Sequence, residues 1–597
     1  MRYKFANVII LLLLFSISCV RKQATETTAT LIIDHATIID TTGGPNQADM
    51  AVFIAGDRII DVKKALHVRA PRGIQVVDAT GKYLIPGLWD MHVHWYHEKF
   101  LALFIANGVT GVRQMAGFPM HLDWRERASR GELLAPRQVI GSMIVDGPGA
   151  TWTGSIEVGN EKQARDAVQM IKKSGFDFVK IYNSIPRDAF YALADEAAKQ
   201  GLTFAGHVPH SVSALEASDA GQKCIEHLDG VLEACSPDGR EITQGYLKNT
   251  AGVNNRKGMD AARRQAMRSL REKMLATYDE ERASSLYARF AKNGTWQCPT
   301  LAVNRVLAFI DQPDFWNDPR LKYMPKYFRS IWQPENNPLW ASRTAEDYAV
   351  SKRIFQRQMK TLEEMRRAGV RILAGTDTGN PFCFPGFSLH DELALLVESG
   401  FTPLEALQAA TLNAAIFQGT GESFGTIEKG KIADLVLLEA NPLEHIENTK
   451  RITTVVLGGK LFERSQLNEM LANADKIANQ KPIADILMKI IEEQDVEAAI
   501  RQYDDLKTRD PDAYDLGESQ LFRLGYRLLG EKRVKDAIEI FRLNAAEHPQ
   551  SSYAFSCLGE AYIAEGDKES AVASLKKALE LDPDNLDAAA LIKKLGR

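Results

Sequence analysis

Cysteine is scarce: six in 597 residues are too few and too scattered for a disulfide framework. Charge of one sign is lacking as well. Lys and Arg number 73 against 77 Asp and Glu, a formal net charge of -4, which argues against nucleic acid as the main partner. At 45% apolar and 25% charged residues, the composition is neither that of a disordered chain nor that of a polytopic membrane protein. The length leaves room for several domains, with a large core.

The start of the chain reads as an address. Arg2 and Lys4 precede an apolar run from Val8 to Phe15, then Ser16-Ile17-Ser18-Cys19. The run is too short to cross about 30 Å of hydrocarbon as a mature helix, and the order of charge, apolar stretch and small residues is that of a secretory signal. Small residues ending on a cysteine resemble the lipobox of bacterial lipoproteins, although Ser16 stands where leucine is commoner. That resemblance implies cleavage before Cys19, a lipid on its sulfur, and residence at a membrane of the bacterial cell envelope. The plain alternative is an ordinary signal peptide with an idle cysteine. Residues 20–30, with the polar, Thr-rich stretch Gln23–Thr28, read as a tether. The other cysteines (Cys224, Cys235, Cys298, Cys383 and Cys557) read as buried small hydrophobes.

Short β-rich runs with intervening turns occupy residues 31–86 and return at 420–465, which predicts a composite β-sandwich domain interrupted by a larger one. Between them, eight apolar runs alternate with helical stretches: Gly87–Val93, Val109–Arg113, Gln138–Met143, Phe178–Tyr182, Thr203–His207, Cys224–His227, Thr295–Leu301 and Arg371–Asp377. The pattern predicts an α/β fold, a (β/α)8 TIM-like barrel over 87–419, with insertions within about 236–342 that cover its mouth. In the tail, Gly525, Ala537, Phe541 and Pro549 are followed 34 residues later by Gly559, Ala571, Leu575 and Pro583, with a looser unit at Ala499, Tyr503 and Pro511. That period resembles tetratricopeptide repeats and predicts an all-α domain over 480–597.

Chemistry-bearing residues sit at the predicted strand ends. In Pro86-Gly87-Leu88-Trp89-Asp90-Met91-His92-Val93-His94, two histidines two apart share one strand face and can present both imidazoles to one metal. His207, His227 and Asp377 end the fifth, sixth and eighth runs, on the rim where such barrels place chemistry. Lys180 ends the fourth, amid apolar residues that leave an ammonium without a partner. Near two cations its pKa falls, and a neutral amine can take up CO2 as a carbamate that bridges metals.

The chain resembles the amidohydrolase superfamily from about Thr30 to Arg464, in its group with two metals and a carboxylated lysine. Imidazolonepropionase-like and prolidase-like members look nearest, and the match includes Gly425-Thr426-Ile427-Glu428-Lys429-Gly430-Lys431-Ile432-Ala433-Asp434 and Asn441-Pro442-Leu443. The resemblance implies His92, His94 and Asp377 on one ion, and His207 and His227 on the other, with carboxylated Lys180 between. Such donors suit Zn, with Mn, Co or Fe as alternatives. Two close cations acidify a bridging water, and Asp377 would carry its proton to the leaving amine. Tyr182, His210, His390 and Arg113 are candidate substrate contacts, although Gln114 stands where relatives often have Asp after that arginine. His97 lies near the first metal; His35, His67, His121, His445 and His548 read as surface or loop residues.

The expected activity is hydrolysis of an amide-type C–N bond in a dipeptide, N-acyl amino acid or cyclic amide. The same site could serve a lactone or a phosphoester. The other reading is a non-catalytic scaffold lipoprotein whose repeats bind a protein partner or mediate self-association.

Overall fold

The structure is a computed structural model that describes residues 28–596, apart from 66–72, 153, 251–259, 334–335, 338–339 and 583–584. The expected signal peptide, Cys19, most of the expected tether, His67 and Pro583 lie outside the described residues. Among the described residues, no helix is long and apolar enough to cross a membrane.

Strands Leu31–Ile38, Gln47–Ala55, Arg58–Lys64, Gln75–Asp78 and Tyr83–Pro86 come from the first flank, and Leu435–Leu438, Ile452–Leu457 and Lys460–Glu463 from the second. All eight form one continuous sheet. The flanks meet where Leu435–Leu438 runs antiparallel to Tyr83–Pro86, Leu435 opposite Pro86. The far edge curls back, since Arg58 bridges Ile432 and the Ile59 N–H donates to the Lys431 carbonyl at 2.9 Å. The curl encloses a common core of Leu31, Ile33, Val52, Ile54, Leu435 and Val456. The expected two layers are therefore one folded-over sheet.

Seven parallel strands form the barrel wall: Leu88–Val93, Val109–Gln114, Arg137–Ile140, Phe178–Ile181, Thr203–Gly206, Cys224–Glu226 and Trp296–Cys298. The third and fourth meet through a single parallel bridge, Gly141 with Phe178. The eighth run, expected as a strand over Arg371–Asp377, is irregular. It lies between the seventh and first strands through isolated bridges, Gln297 with Ile372 and Val93 with Thr378. Backbone N–H groups complete the join, among them Leu373 to Gln297 O (2.9 Å), Met91 to Ala374 O (2.9 Å) and Asp377 to His92 O (2.8 Å). The departure has a local cause. Gly375 passes so close that a Cβ there would lie 2.5 Å from Cys298 Sγ and 2.8 Å from the His92 nitrogen. The next turn is held by side chains: Asp90 accepts from the Thr376 N–H at 3.0 Å and the Thr376 hydroxyl at 2.6 Å.

The outer helices follow the apolar stripe of their sequences. Glu161–Lys173 buries Ala164, Ala167, Val168 and Ile171, one face of a 3.6-residue period. Asn160 caps it by accepting from the Gln163 N–H at 3.0 Å.

Helix Arg464–Ala478 follows the small sheet and belongs to the barrel, because Leu467, Ala474 and Ala478 are buried in the barrel's main core. The repeats begin after it. Helices Ile483–Glu493, Val496–Arg509, Glu518–Gly530, Val534–Glu547, Ser552–Glu565 and Lys568–Leu581 pair in sequence, and Leu586–Lys594 closes the array. Glycines stand where paired helices cross: a Cβ on Gly525 would meet the Phe541 ring at 2.5 Å, and one on Gly559 would meet Leu575 at 2.7 Å. The array touches the barrel side through Lys476 with Asp512 (2.7 Å) and Arg523, whose guanidinium lies 4.7 Å from the Tyr327 ring.

Candidate metal centre

The first strand ends on His92 and His94, and the irregular eighth segment brings Asp377 between them. Asp377 Oδ1 lies 3.2 Å from His92 Nε2 and 3.1 Å from His94 Nε2, and the two nitrogens are 3.2 Å apart. Such spacing is what bonds of about 2.0–2.2 Å to one shared divalent ion impose. His227 approaches from the sixth strand, with ring centroids 4.6 Å from His92 and 4.8 Å from His207. Ligand atoms of His92, His227 and Asp377 all lie within 4.8 Å of one another.

Three of the imidazoles are anchored through Nδ1, which aims Nε2 inward. His92 Nδ1 donates to Glu226 Oε2 at 2.8 Å. His207 Nδ1 donates to Asn183 Oδ1 at 2.8 Å. His227 Nδ1 lies 2.6 Å from Thr300 Oγ1, and that hydroxyl is already committed as donor to the Pro299 carbonyl at 2.8 Å. Thr300 must therefore accept, which fixes the His227 proton on Nδ1 and leaves the Nε2 lone pair free. Burial pushes His207 well below its usual value, with help from Lys180 and the neighbouring rings. It lowers His94 and takes His227 to about 3. Neutral imidazoles are the form that binds metal.

Lys180 ends the fourth strand almost fully buried, and its Nζ has no hydrogen-bond partner. Burial, opposed by Glu226 and Asp377, lowers its pKa, so the neutral amine is favoured. For Asp377, burial alone would raise the carboxyl, but His92 and His227 hold it well below the usual carboxylate range. Two of these residues carry backbone strain: His227 has φ 62° and Asp377 φ 60°, a left-handed conformation that costs a non-glycine residue about 1–3 kcal/mol. The donor set, the inward lone pairs and the unpartnered amine fit a pair of divalent ions.

Glu226 supports the set from below and was not among the expected residues. Its side chain is fully buried, and it takes two hydrogen bonds from Arg113 NH2 at 2.8 and 3.0 Å besides that from His92. Burial raises its carboxyl; Arg113 and His92 overcome this and hold it well below the ordinary range. A charge in the strand Cys224-Ile225-Glu226, directly before His227, was the available signal. Asn183 and Thr300 carried no such mark.

Two expected substrate contacts are corrected. Arg113 is wholly buried, spending its guanidinium on Glu226 and its Nε on the Met91 carbonyl at 2.6 Å. A charge inside the wall needs that compensation, so Arg113 braces the site from beneath. His390 is buried too, with its ring nitrogens on Thr449 Oγ1 (3.0 Å) and Asn107 O (3.1 Å), away from the rim. His121, expected at the surface, is buried: it accepts from the Phe118 N–H at 2.9 Å and donates to the Trp95 carbonyl at 2.8 Å. His97 packs on Trp95 and Phe328, ring centroids 5.7 and 5.1 Å away. Tyr182 and His210 remain at the rim. The Tyr182 ring lies 4.2 Å from that of His207, and His210 keeps a buried Nδ1 without a partner.

Comparison with known proteins gives three findings. The model of the amidohydrolase family matches residues 83–462, and that of the tetratricopeptide repeat matches 552–585. Among curated proteins, imidazolonepropionase of Pseudomonas entomophila is 40% identical over 84 residues, 13% of this chain and 20% of that protein. The chain thus spans about a fifth of the length of such relatives. Among solved structures, the bottromycin amidohydrolase aligns over 75% of this chain and 90% of its own at 23% identity, TM-score 0.60. A prolidase-like protein from Bifidobacterium longum aligns over 74% and 98% at 22% identity, TM-score 0.51. These likenesses show the barrel fold.

Proposed function

The chain belongs to the amidohydrolase family, and from that premise we propose that it is a metal-dependent hydrolase of an amide-type C–N bond in a dipeptide, N-acyl amino acid or cyclic amide. The observation that carries the reading is the convergence of His92, His94, Lys180, His207, His227 and Asp377 on one rim, with lone pairs inward and the Lys180 amine buried without a partner. His92, His94 and Asp377 would hold one ion, and His207 and His227 the other. Lys180 would join them as a CO2-derived carbamate, formed when its neutral amine adds to CO2 and releases a proton.

Two divalent ions there, Zn suiting this donor set with Mn, Co and Fe as alternatives, would acidify water and polarise the scissile carbonyl. Asp377 enters turnover ionised and faces the reacting centre. It takes the proton of the attacking water and returns it to the leaving nitrogen, which cannot depart as an anion. Glu226 and Arg113 keep the His92 tautomer fixed throughout. Tyr182 and His210 are placed to donate to a substrate carboxylate or to the developing oxyanion.

Relatives are named imidazolonepropionase, and fold neighbours include a Xaa-Pro dipeptidase; both names are of C–N hydrolases, which supports the class. The leader and lipobox-like end support export and lipidation at Cys19, testable by palmitate labelling of wild type against Cys19→Ala. The activity test is a screen of metal-reconstituted protein with bicarbonate against dipeptides, N-acyl amino acids, cyclic amides and lactones. Turnover of a C–N substrate, lost in His92→Ala, Lys180→Ala and Asp377→Asn, is the expected result. Protein that holds no stoichiometric metal, or that turns over lactones alone, contradicts the reading.

A further inference from the structure

Two aromatic side chains on loops beside the centre are partly open to solvent. Tyr96, two residues after His94, is 38% exposed, and Trp152 is 42% exposed. Both are tied to the site. Burial, and secondarily the Asp377 charge, pushes the Tyr96 phenol above its usual value. Trp152 hydrogen-bonds the Tyr182 side chain, whose ring lies tilted against His207 with centroids 4.2 Å apart.

The Tyr96 ring is held in place. Tyr96 packs edge-on against Phe118 at 6.0 Å and against His121 at 5.5 Å. The loop that carries Trp152 is seated on the same Phe118, since a Cβ on Gly154 would lie 3.0 Å from that ring. Tyr96 with Phe118 on the His94 side, and Trp152 with Tyr182 on the His207 side, thus set rings on either side of the centre. A small polar substrate would leave these faces wet. A flat ring would cover them and gain offset or edge-on contacts.

We infer that the Tyr96–Trp152 pair is a specificity subsite for an aromatic side chain of the amide substrate. This deepens the reading above and rests on it for the word substrate, but the subsite can be tested without turnover. The probes are L-phenylalanine and L-alanine, titrated calorimetrically into full-length, metal-loaded protein. The two amino acids share every polar group, so the ratio of their affinities isolates the ring. Each ring of the pair is expected to contribute about two- to tenfold. Wild type should favour phenylalanine at least tenfold, and Tyr96→Ala and Trp152→Ala should each reduce that ratio threefold or more. Tyr96→Phe and Trp152→Phe keep a ring in place and should preserve it, which separates ring contact from loss of the loop's hydrogen bonds. A parallel assay compares kcat/KM for dipeptides with phenylalanine or alanine at either position. Equal affinities in wild type, undetectable phenylalanine binding, or a ratio untouched by both alanine substitutions would overturn the inference. Ring-selective binding without hydrolysis of any amide would uphold the subsite and sink the amidase reading instead.

Discussion

Glu226→Gln is the sharpest probe of how the site is built. The substitution is nearly isosteric but removes the carboxylate bonded to Arg113, whose side chain is 1% exposed against 0% for Glu226. It also replaces the acceptor that holds His92 Nδ1. Breaking one side of a buried pair leaves an uncompensated charge and costs about 3–5 kcal/mol. For a domain the size of residues 83–462, that is roughly a 4–6 °C fall in apparent unfolding temperature, from an unfolding entropy scaled by residue number. Loss of the His92 anchor should separately weaken metal affinity about 10–100-fold. The assays are thermal melts of metal-free protein, to isolate the charge, and competition of the loaded protein against a calibrated chelator, to isolate the anchor. Arg113→Met combined with Glu226→Gln should recover much of the melting loss but not the metal affinity, because no cation is then stranded while His92 still faces an amide. A Glu226→Gln protein that melts within about 1 °C of wild type and holds metal equally well would refute the assignment of Glu226 as the brace.

Other consequences can be measured as directly. Glu392 is fully buried and pushed up to about 8 by burial, opposed by its hydrogen bond from the Ala302 N–H. Its folded pKa exceeds the unfolded value near 4.5, so its contribution is intact below that pH and is lost as pH rises toward 8. Glu392→Gln should therefore flatten that part of the stability–pH profile in chemical denaturation, and an unchanged slope would rule Glu392 out as its source. Truncation after Met470 removes Ala474 and Ala478 from the barrel core and should lower the barrel's melting temperature, whereas truncation after Gln480 should leave metal content unchanged; equal melts for the two would place helix Arg464–Ala478 with the repeats. Gly559→Val puts a branched side chain where Leu575 lies 2.7 Å from a bare Cβ, and should destabilise the repeats by about 1–3 kcal/mol while sparing metal binding; a wild-type melt of the repeats would contradict the close helix crossing.

The barrel was legible because its strands end on chemistry. Strand alternation pairs His92 with His94; Lys180, His207, His227 and Asp377 sit at the ends of other apolar runs, and the family resemblance joins the six into one set. The repeats were legible because Gly525 and Gly559 occupy one phase of a period. What stayed hidden depends on partners distant in sequence. Arg113 looked free for a ligand because nothing local shows that Glu226 lies against it. His390 looked available because its burial is decided by elements far apart in sequence, with Asn107 and Thr449 closing on it from either side. The eighth strand was misjudged for a subtler reason. Its apolar run is strand-like, but Gly375 admits an approach too close for regular pairing, and the left-handed turn at Asp377 then aims the carboxylate inward.

The sheet shared by the two flanks has a consequence for how the protein is made. Tyr83–Pro86 pairs with Leu435–Leu438, so a ribosome must add some 350 further residues before the early strands meet their neighbour. Until then Leu31–Pro86 is a half-finished surface with an open edge, the kind of surface that sticks to other nascent chains. A polypeptide that cannot lock itself shut until so late is also one that stays threadable for most of its synthesis.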